Sequence, residues 1–411
     1  MGKILIKNIK GLGGVLENNS GPLRGASMSN HEVIENAFLA VDEGKISMYG
    51  PMSELAGVTD WNNLEVIDAF GKFVLPAFCD SHTHLVFAEP RESEFVDRLR
   101  GLSYEEIGKK GGGILNSAMK LASKSEAELF DDATKRLEEI KCHGTGAVEI
   151  KSGYGLSVDA ELKMLRVIRK LKEKSDLTIK ATFLGAHAFP AEYKEKPTAY
   201  IKLLVDNMIP KVAGEGLADY IDCFCERNYF TNEQLDQILS AGVKAGLKPK
   251  IHVNQFSVMG GVQTGIKHGA ISVDHLEEMA EADFDSLEKS NTIATALPGC
   301  SFFLNIPYSP VKKMLERNIA VALATDFNPG SSPSGNMQMI LSLACTQMKL
   351  TLEQAINAIT INGACAMELG ETHGSITLGK KANLIITKEI PSLNYIPYSF
   401  GENCVERMIL G

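Results

Sequence analysis

Eight short apolar runs, separated by longer segments of helical character, constrain the fold of this 411-residue chain more than any other feature. Between the runs, apolar residues recur every three or four positions opposite polar faces, as in residues 125–144, 159–174 and 231–246. Strand and helix alternating eight times predict an α/β fold, a parallel (β/α)8 TIM barrel. The apolar runs are KFVLPAF (72–78), GAVEI (146–150), IKATFLGA (179–186), DYIDCFC (219–225), KPKIHV (248–253), AISVDH (270–275), TIATAL (292–297) and IAVALAT (319–325).

The two ends of the chain show a different pattern. Residues 1–70 and the C-terminal part contain short alternating runs with Gly and Asp turns, which are typical of antiparallel strands. We therefore predict a small β-sandwich domain built from both chain ends, residues 1–72 plus 366–411, beside a barrel domain of residues 73–365. The runs are KILIKNI, NAFLAVDEGKISMYG and LEVIDAFG near the N-terminus, and GSITLGKKANLIITKEI and CVERMILG near the C-terminus.

Mostly polar residues follow the predicted barrel strands. In barrel enzymes the catalytic groups lie at the carboxyl ends of the strands, which all face one mouth. His82 and His84 are one residue apart in an extended segment, so their side chains share a face. Because neutral imidazole is the commonest metal ligand in proteins, this clustering predicts a metal-dependent enzyme rather than scattered surface histidines. The residues at the strand ends are, in order, His82 and His84, Lys151, His187, Glu226, His252, His275, Pro298 and Asp326.

Charge and composition narrow the classes of partner. A net charge of −9 disfavours broad binding to nucleic acid or an anionic membrane, although a local basic pocket is compatible with it. No run of about 18 or more apolar residues occurs, so we expect no membrane span. The eight scattered cysteines are typical of a reduced, cytoplasmic protein. Cys223-x-Cys225 could bind a metal, but its place inside an apolar run favours core packing.

These features resemble a known superfamily. A His-x-His after the first barrel strand, a His on the fifth and on the sixth, and an Asp after the eighth, with a β domain built from the chain ends, resemble the amidohydrolase superfamily. Within it, the chain is similar to the imidazolonepropionase family over essentially its whole length. The motifs HLVFAEPRESEF and ATDFNPGSSPSGN are far more specific than His-x-His, which many hydrolases share. The other matching motifs are FVDRLRGLSYEEIGKKGGGI, EIKSGYGLS, TFLGAHAFP and IPYSFG.

The resemblance implies an activity, a cofactor and a set of site residues. The activity is hydrolysis of the cyclic amide of 4-imidazolone-5-propanoate to N-formimidoyl-L-glutamate in histidine degradation, by a metal-activated water. His275 and Asp326 would be catalytic. One Zn²⁺ or Fe²⁺/Fe³⁺ ion per chain would be held by His82, His84, His252 and Asp326. The substrate would be bound by Arg91, Tyr154, His187, Gln255, Asn328, Gly330 and Ser331.

The chemistry of these residue types is compatible with that activity. Three His and one Asp form a ligand set that can leave a position for water, and a bound metal lowers the pKa of that water to about 7. Asp326 could carry the water's proton to the ring nitrogen. His275 could hydrogen-bond the carbonyl oxygen or help to activate the water, and the sequence leaves both roles open.

Three of the predicted substrate-binding residues have simpler interpretations. Arg91 could hold the propanoate carboxylate with its guanidinium fork, or it could be a solvated arginine among neighbouring glutamates. Tyr154 could line the pocket or pack as an ordinary core aromatic. His187 could donate to the substrate or be a core histidine satisfied by a neighbour.

Two positions bear on the mechanism. Many amidohydrolases bridge two metals with a modified Lys at the end of the fourth strand, where this chain has Glu226. We therefore expect a mononuclear site, with Lys151 at the end of the second strand as a pocket or structural cation. The second position is Gln255, where family members can carry a Glu. Because an amide cannot act as a base at ordinary pH, proton transfer would fall to Asp326 and His275.

Two other functions are compatible with the sequence. Another cyclic-amide or cyclic-amidine hydrolase, or a deaminase of the superfamily, would share the metal residues without needing Arg91. A non-catalytic binding protein is disfavoured because the metal and catalytic residues are all present. The expected partner is a small-molecule substrate, and the expected assembly is a homodimer. Residues 111–114 (GGGI) and 330–335 (GSSPSG) predict loops at the barrel mouth, the first being either a lid or a plain turn.

Overall fold

Two β-sheets contain the strands of the residues that the structure describes. The computed structural model describes residues 2–17, 21–57, 64–102, 106–107 and 110–411. One sheet is mixed and has seven strands, and the other has eight parallel strands. In chain order the strands are β1 (Lys3–Val15), β2 (Glu32–Asp42), β3 (Lys45–Pro51), β4 (Leu64–Asp68), β5 (Lys72–Pro76), β6 (Phe78–Thr83), β7 (Thr145–Lys151), β8 (Thr178–Ala186), β9 (Tyr220–Cys225), β10 (Lys248–Val253), β11 (Ser272–His275), β12 (Ile293–Ala296), β13 (Val321–Leu323), β14 (Leu384–Glu389) and β15 (Val405–Ile409).

The eight-stranded sheet closes into a barrel. Strands β6 to β13 lie side by side in sequence order. The ring closes where the backbone N–H of Asp326 donates to the carbonyl oxygen of His82 at 3.0 Å and the N–H of His84 donates to that of Phe327 at 2.8 Å. Helices cover the strands from outside, so most strand residues are buried on both faces and read as near-continuous apolar runs. The predicted (β/α)8 barrel is confirmed.

The prediction was wrong for the first apolar run. Lys72–Pro76 is β5 and pairs with β1 and β14 in the seven-stranded sheet, whereas the first barrel strand is Phe78–Thr83. The chain changes sheets within two residues: the N–H of Ala77 donates to Asn383 in the small domain, and that of Phe78 donates to Gly144 in the barrel. One apolar run serves both sheets, and hydrophobicity does not reveal that the pairing partner changes.

The barrel helices follow the predicted segments. Ser125, Ser157 and Thr231 each cap a helix by accepting a hydrogen bond from a backbone N–H in its first turn, which fixes the start of the three helices foreseen in the sequence. The α-helices are α1 (Glu92–Leu99), α2 (Ile114–Ser123), α3 (Glu126–Cys142), α4 (Val158–Lys174), α5 (Pro197–Leu203), α6 (Ile209–Gly214), α7 (Asn232–Lys244), α8 (Gly261–Lys267), α9 (Glu281–Glu288), α10 (Pro298–Leu304), α11 (Val311–Glu316), α12 (Met337–Thr346), α13 (Leu352–Ile359), α14 (Ile361–Cys365) and α15 (Tyr395–Tyr398). Shorter helical turns are Gly25–Ser29, Met52–Gly57, Ala191–Tyr193 and the π-helical Leu204–Met208.

The seven-stranded sheet joins the two ends of the chain. Its strand order is β15-β14-β5-β1-β2-β3, with β4 also paired to β1. The long strand β1 pairs with β4 through its first half and with β5 through its second half. A separate apolar core lies on this sheet, including Ile6, Leu39 and Leu384. The predicted small β domain built from both chain ends is confirmed, while the proposed boundaries 1–72 plus 366–411 and 73–365 stay a prediction.

Two further observations concern the pairing of the cysteines and the hydropathy of the helices. All eight cysteines are free, and Cys223 and Cys225 are buried in β9 as the core-packing interpretation predicts. Within the described ranges, no helix has both the length and the hydropathy needed to cross a bilayer.

Candidate active site

Four side chains converge at the carboxyl ends of β6, β10 and β13. His82 is the last residue but one of β6 and His84 follows that strand, His252 lies in β10, and Asp326 follows β13. Nε2 of His252 lies 3.1 Å from Nε2 of His82 and 3.2 Å from Nε2 of His84. Oδ1 of Asp326 lies 3.5 Å and 3.6 Å from the same two imidazole nitrogens. The structure thus brings together the four predicted metal ligands, which we call the His–Asp cluster.

The donor atoms of the His–Asp cluster fit a metal ion. Burial lowers the pKa of His82, His84 and His252 well below its ordinary value, so their imidazoles are neutral. Ligand atoms about 2.0–2.1 Å from a tetrahedral ion lie roughly 3.3 Å from one another. The distances from His252 to His82 and His84, and from Asp326 to the same two histidines, are 3.1 to 3.6 Å. Lone pairs that face each other this closely repel. A cation held between the four side chains would remove this repulsion.

Two buried aspartates orient these imidazoles. Oδ2 of Asp274 lies 2.7 Å from Nδ1 of His82, and Oδ2 of Asp222 lies 2.8 Å from Nδ1 of His252. A carboxylate accepts the Nδ1 proton, so each Nε2 lone pair is directed into the cluster. Nδ1 of His84 has no hydrogen-bond partner among the described residues, and its ring stacks on that of His187 at a centroid distance of 5.2 Å.

Lys151 lies next to the two aspartates that orient the imidazoles, Asp222 and Asp274. Its Nζ is 3.0 Å from Asp222, 3.8 Å from Asp274 and 2.7 Å from Glu149, and all four side chains are fully buried. Burial alone would lower the pKa of Lys151, but these carboxylates raise it, so the lysine is charged. Of the two roles left open for Lys151, the structure supports the structural cation.

A second buried lysine completes this charged layer. Nζ of Lys250 lies 3.3 Å from Glu149 and 2.7 Å from the hydroxyl of Ser272. Four residues of this layer were not among those predicted from the sequence, namely Glu149, Asp222, Lys250 and Asp274. A signal was present, because Glu149 and Lys250 each precede a predicted site residue by two positions and thus share its strand face.

A cavity opens above the His–Asp cluster. Ile114, the last residue of the predicted GGGI loop, begins α2 and forms part of the wall. The lining residues are His84, Arg91, Ile114, Tyr154, His187, Phe224, His252, Gln255, His275, Asp326, Asn328 and Ser331.

Arg91 is the cation of this cavity. It is 5% exposed, which excludes the solvated alternative, and its Nη1 lies 3.7 Å from Oε2 of Glu94. Gly330 packs against the guanidinium so closely that a Cβ there would lie 1.9 Å from Nη2. Arg98 donates to the carbonyl oxygen of Gly330 at 3.2 Å and so holds that backbone in place. Gly330 therefore contributes by making room for Arg91.

Tyr154 and His187 form one side of the cavity. Their rings are 5.4 Å apart, and Tyr154 lies 6.0 Å from the ring of His84. His187 is satisfied by a neighbour, because its Nδ1 donates to the carbonyl oxygen of Gly153 at 3.0 Å, and its ring also lines the cavity. Burial lowers the pKa of His187 to about 4, so the ring is neutral and its Nε2 can accept a hydrogen bond.

Residues 326–331 form a hydrogen-bonded turn at the mouth. Oδ1 of Asn328 accepts from the N–H groups of Gly330 and Ser331 at 2.8 Å each, and its Nδ2 donates to the carbonyl oxygen of Asp326 at 2.6 Å. Ser331 donates from its hydroxyl to Oδ2 of Asp326 at 3.2 Å. Asn328 thus shapes the turn that presents Asp326, although it also lines the cavity.

Gln255 and His275 also line the cavity. Nε2 of Gln255 donates to Sγ of Cys300 at 3.2 Å. The His275 ring centroid is 5.3 Å from that of His252, and its Nδ1 lies 3.3 Å from Oε1 of Glu277. Burial alone would lower the pKa of His275, but the charges of Glu277, Asp326 and Asp274 raise it above its ordinary value.

Two strand-end residues noted in the sequence have structural contacts instead. The carboxylate of Glu226 accepts from the backbone N–H groups of Arg227, Phe256 and Ser257, which fixes the loop after β10. Pro298 occupies the first turn of α10, where its missing N–H costs no hydrogen bond.

Relatives of known name match the whole chain. The chain is 55% identical over 407 residues to the imidazolonepropionase of Christiangramia forsetii, which covers 99% of this chain and 98% of that protein. It is 54% identical to the imidazolonepropionase of Flavobacterium johnsoniae, with the same coverage of 99% and 98%. The family model described as the amidohydrolase family matches residues 73–409.

Solved structures share the fold at low sequence identity. Escherichia coli guanine deaminase superposes with a TM-score of 0.71 at 14% identity, covering 100% of this chain and 98% of that one. An adenosine deaminase from Xanthomonas campestris with bound zinc gives a TM-score of 0.69 at 13% identity, covering 99% and 91%. At these identities the likeness shows the fold alone. By the family model and the full-length relatives, the chain belongs to the amidohydrolase family and, within it, to the imidazolonepropionases.

Proposed function

We propose that this chain hydrolyses 4-imidazolone-5-propanoate to N-formimidoyl-L-glutamate. One observation carries the proposal: the guanidinium of Arg91 is buried in the same cavity as the His–Asp cluster. An anionic cyclic amide needs a cation for its carboxylate and, a few ångströms away, groups that act on its ring carbonyl. The activity named for the relatives at 54% and 55% identity supports the same substrate.

The cavity residues suggest how the substrate lies. Arg91 binds the propanoate carboxylate with two parallel N–H···O bonds. Tyr154 and His187 flank the ring, and Nε2 of His187 accepts a hydrogen bond from a ring N–H because its Nδ1 is already bonded to Gly153. Nε2 of Gln255 donates to Cys300, which leaves its Oε1 available to the ring. The ring carbonyl then faces the His–Asp cluster.

The reaction adds water across the ring amide. A divalent ion bound by His82, His84, His252 and Asp326 would lower the pKa of a water molecule at the site to about 7. The water oxygen bonds to the carbonyl carbon, and the ring C–N bond then breaks. Asp326 takes the proton from the water and gives it to the departing nitrogen. His275, whose pKa is raised, donates from Nε2 to the carbonyl oxygen as negative charge develops there.

Gln255 does not take part in proton transfer. An amide at this position can orient the ring but cannot accept a proton at neutral pH. Among the residues that line the described cavity, Asp326 is the only one with a carboxylate. We therefore assign the transfer of the proton to Asp326.

A substrate panel tests the proposal. We expect the metal-loaded protein to remove the absorbance of imidazolonepropanoate and to release N-formimidoylglutamate, identified by mass spectrometry. An analogue without the propanoate arm should be hydrolysed far more slowly. If the protein hydrolyses both compounds equally, or only a cyclic amide without a carboxylate, the proposed substrate is wrong.

Three finer properties belong to the same proposal. The ion is Zn²⁺ or Fe²⁺/Fe³⁺, one per chain, because an imidazole-rich set with one carboxylate suits either metal; elemental analysis of protein purified without added metal identifies it. The assembly is a homodimer, which light scattering of the purified protein tests. The setting is the cytoplasm, where the eight free thiols stay reduced, and cell fractionation tests it.

A further inference from the structure

Glu277 is a buried carboxylate that the proposed mechanism does not use. It lies two residues after His275 and is 5% exposed. Its Oε1 lies 3.3 Å from Nδ1 of His275 and 3.4 Å from the hydroxyl of Ser301. Its Oε2 is buried and meets no hydrogen-bond donor among the described residues. A carboxylate kept from water with so few donors is costly for stability, which points to a role in the site.

The backbone between the two residues is strained. His275 has a φ of +87° and Leu276 a φ of +65°, both in the left-handed region that side chains with a Cβ disfavour. The turn is held by the hydroxyl of Ser309, which donates to the carbonyl oxygen of His275 at 2.6 Å, and by the N–H of Glu278, which donates to Asn254 at 2.9 Å. Strain of this kind persists where surrounding contacts enforce it, and it concentrates at functional sites.

This turn has a geometric consequence. It places the carboxylate of Glu277 beside the imidazole of His275, next to Nδ1. The carboxylate can only accept, so Nδ1 must carry a proton. The Nε2 edge of His275 is then the edge that remains for the cavity, into which the ring projects beside His252. A buried carboxylate fixes the orientation of an imidazole in the same way in other hydrolytic sites.

We propose that Glu277 is the positioning residue for His275: it holds the Nδ1 proton and directs Nε2 at the reacting carbonyl. The inference rests on the proposed function, in which His275 contacts the carbonyl oxygen. It also offers a reason why Gln255 is tolerated. The site keeps a second carboxylate, but that carboxylate acts through His275 rather than on the substrate.

Three variants separate positioning from a merely structural role. Glu277→Met keeps the length of the side chain and removes the acceptor, whereas Glu277→Gln keeps an acceptor and removes the charge. Glu278→Met is the matched control, because Glu278 is the adjacent residue and is exposed. All are assayed with imidazolonepropanoate at full metal content, measured by elemental analysis.

The expected result is a loss in kcat with little change in KM. Glu277→Met should lower kcat by roughly 10²-fold, the usual scale for a misplaced acid–base group, with KM within about threefold because Arg91 still holds the carboxylate. Glu277→Gln should fall between it and the wild type, and Glu278→Met should match the wild type. In the His275→Ala background, Glu277→Met should lower kcat no further, because the interaction between the two side chains is already lost.

A spectroscopic measurement keeps the inference independent of the substrate. In zinc-loaded protein labelled with ¹⁵N-histidine, the signal lost in His275→Ala should report a protonated Nδ1, and Glu277→Met should change that signal. A wild type that is inactive on imidazolonepropanoate but shows this signal refutes the proposed function and not the positioning role. A kcat within twofold of wild type in Glu277→Met, or an equal loss in the His275→Ala background, overturns the positioning role. If Glu277→Met does not fold, Glu277→Gln decides by the same criteria.

Discussion

Replacing Arg91 by Met tests the substrate assignment most directly. Methionine keeps much of the apolar volume of the arginine side chain and removes the charged guanidinium. Arg91 is only 5% exposed, and truncating one member of a buried, hydrogen-bonded charge pair costs about 2–5 kcal/mol. The carboxylate of Glu94, 3.7 Å from Nη1, already compensates part of the charge, so the lower half of that range is the better expectation. About 2.7 kcal/mol corresponds to a 10²-fold loss in kcat/KM.

Steady-state kinetics on imidazolonepropanoate measures this loss. Most of it should appear in KM, because the carboxylate is held alike in the ground state and the transition state. Metal content should not change. Arg100→Met is the matched control, since the side chain of Arg100 is 72% exposed and its loss should leave kcat/KM within about twofold.

A substitution at Gly330 should displace the Arg91 guanidinium without altering Arg91 itself. Gly330→Ala would place a Cβ 1.9 Å from Nη2 of Arg91, so the fork must move. Gly330→Ala should therefore resemble Arg91→Met in raising KM, by about tenfold or more if the shift breaks one of the two hydrogen bonds. If Arg91→Met processes the substrate with a kcat/KM within threefold of wild type, the carboxylate is bound elsewhere and the assignment of Arg91 is refuted.

Three further predictions concern the metal and the residues around it. His82→Ala, His252→Ala and Asp326→Ala should each lose the single bound ion, measured by elemental analysis, and the activity with it; two tightly bound ions per wild-type chain, or full activity after exhaustive chelation, would contradict the mononuclear site. Lys151→Met should lower metal affinity, measured by chelator competition, and destabilise the protein by about 3–5 kcal/mol, because it leaves buried carboxylates uncompensated; an unchanged affinity would show that the charged layer does not orient the ligands. Gln255→Glu should leave an active enzyme, and a kcat raised by orders of magnitude would show that the present chain lacks a base that its site was built to use.

Strand periodicity predicts that the strand-end residues meet at one mouth, and the resemblance to the family then singles out the metal ligands among them. His82, His252 and Asp326 each lie at or just beyond the end of an apolar run, and in a barrel all such ends meet at one mouth. Arg91 and Gly330 were reached through sequence motifs. Their contact could not be predicted, because it depends on how two loops from opposite ends of the barrel sequence pack against each other.

The charged layer under the cluster was missed for a different physical reason. Glu149, Asp222 and Lys250 are charged residues inside largely apolar runs. A strand pattern alone does not say whether such a residue faces the barrel interior or a helix. Their partners come from different strands, so the pairing is visible only in three dimensions. Glu277 was missed because its proximity to His275 depends on two consecutive residues with positive φ, which no propensity predicts.

The order of strands in the small sheet has a consequence for biosynthesis. β5 lies between β1 and β14, and Pro76 pairs with Leu384 near the other end of the chain. When the ribosome has released the first 76 residues, one edge of β5 has no partner, and it stays without one until almost the whole chain has been made. Because contacts of such long sequence separation form slowly, the nascent chain exposes an apolar strand edge during synthesis. A protein truncated before β14 should therefore aggregate even though every residue of the barrel is present.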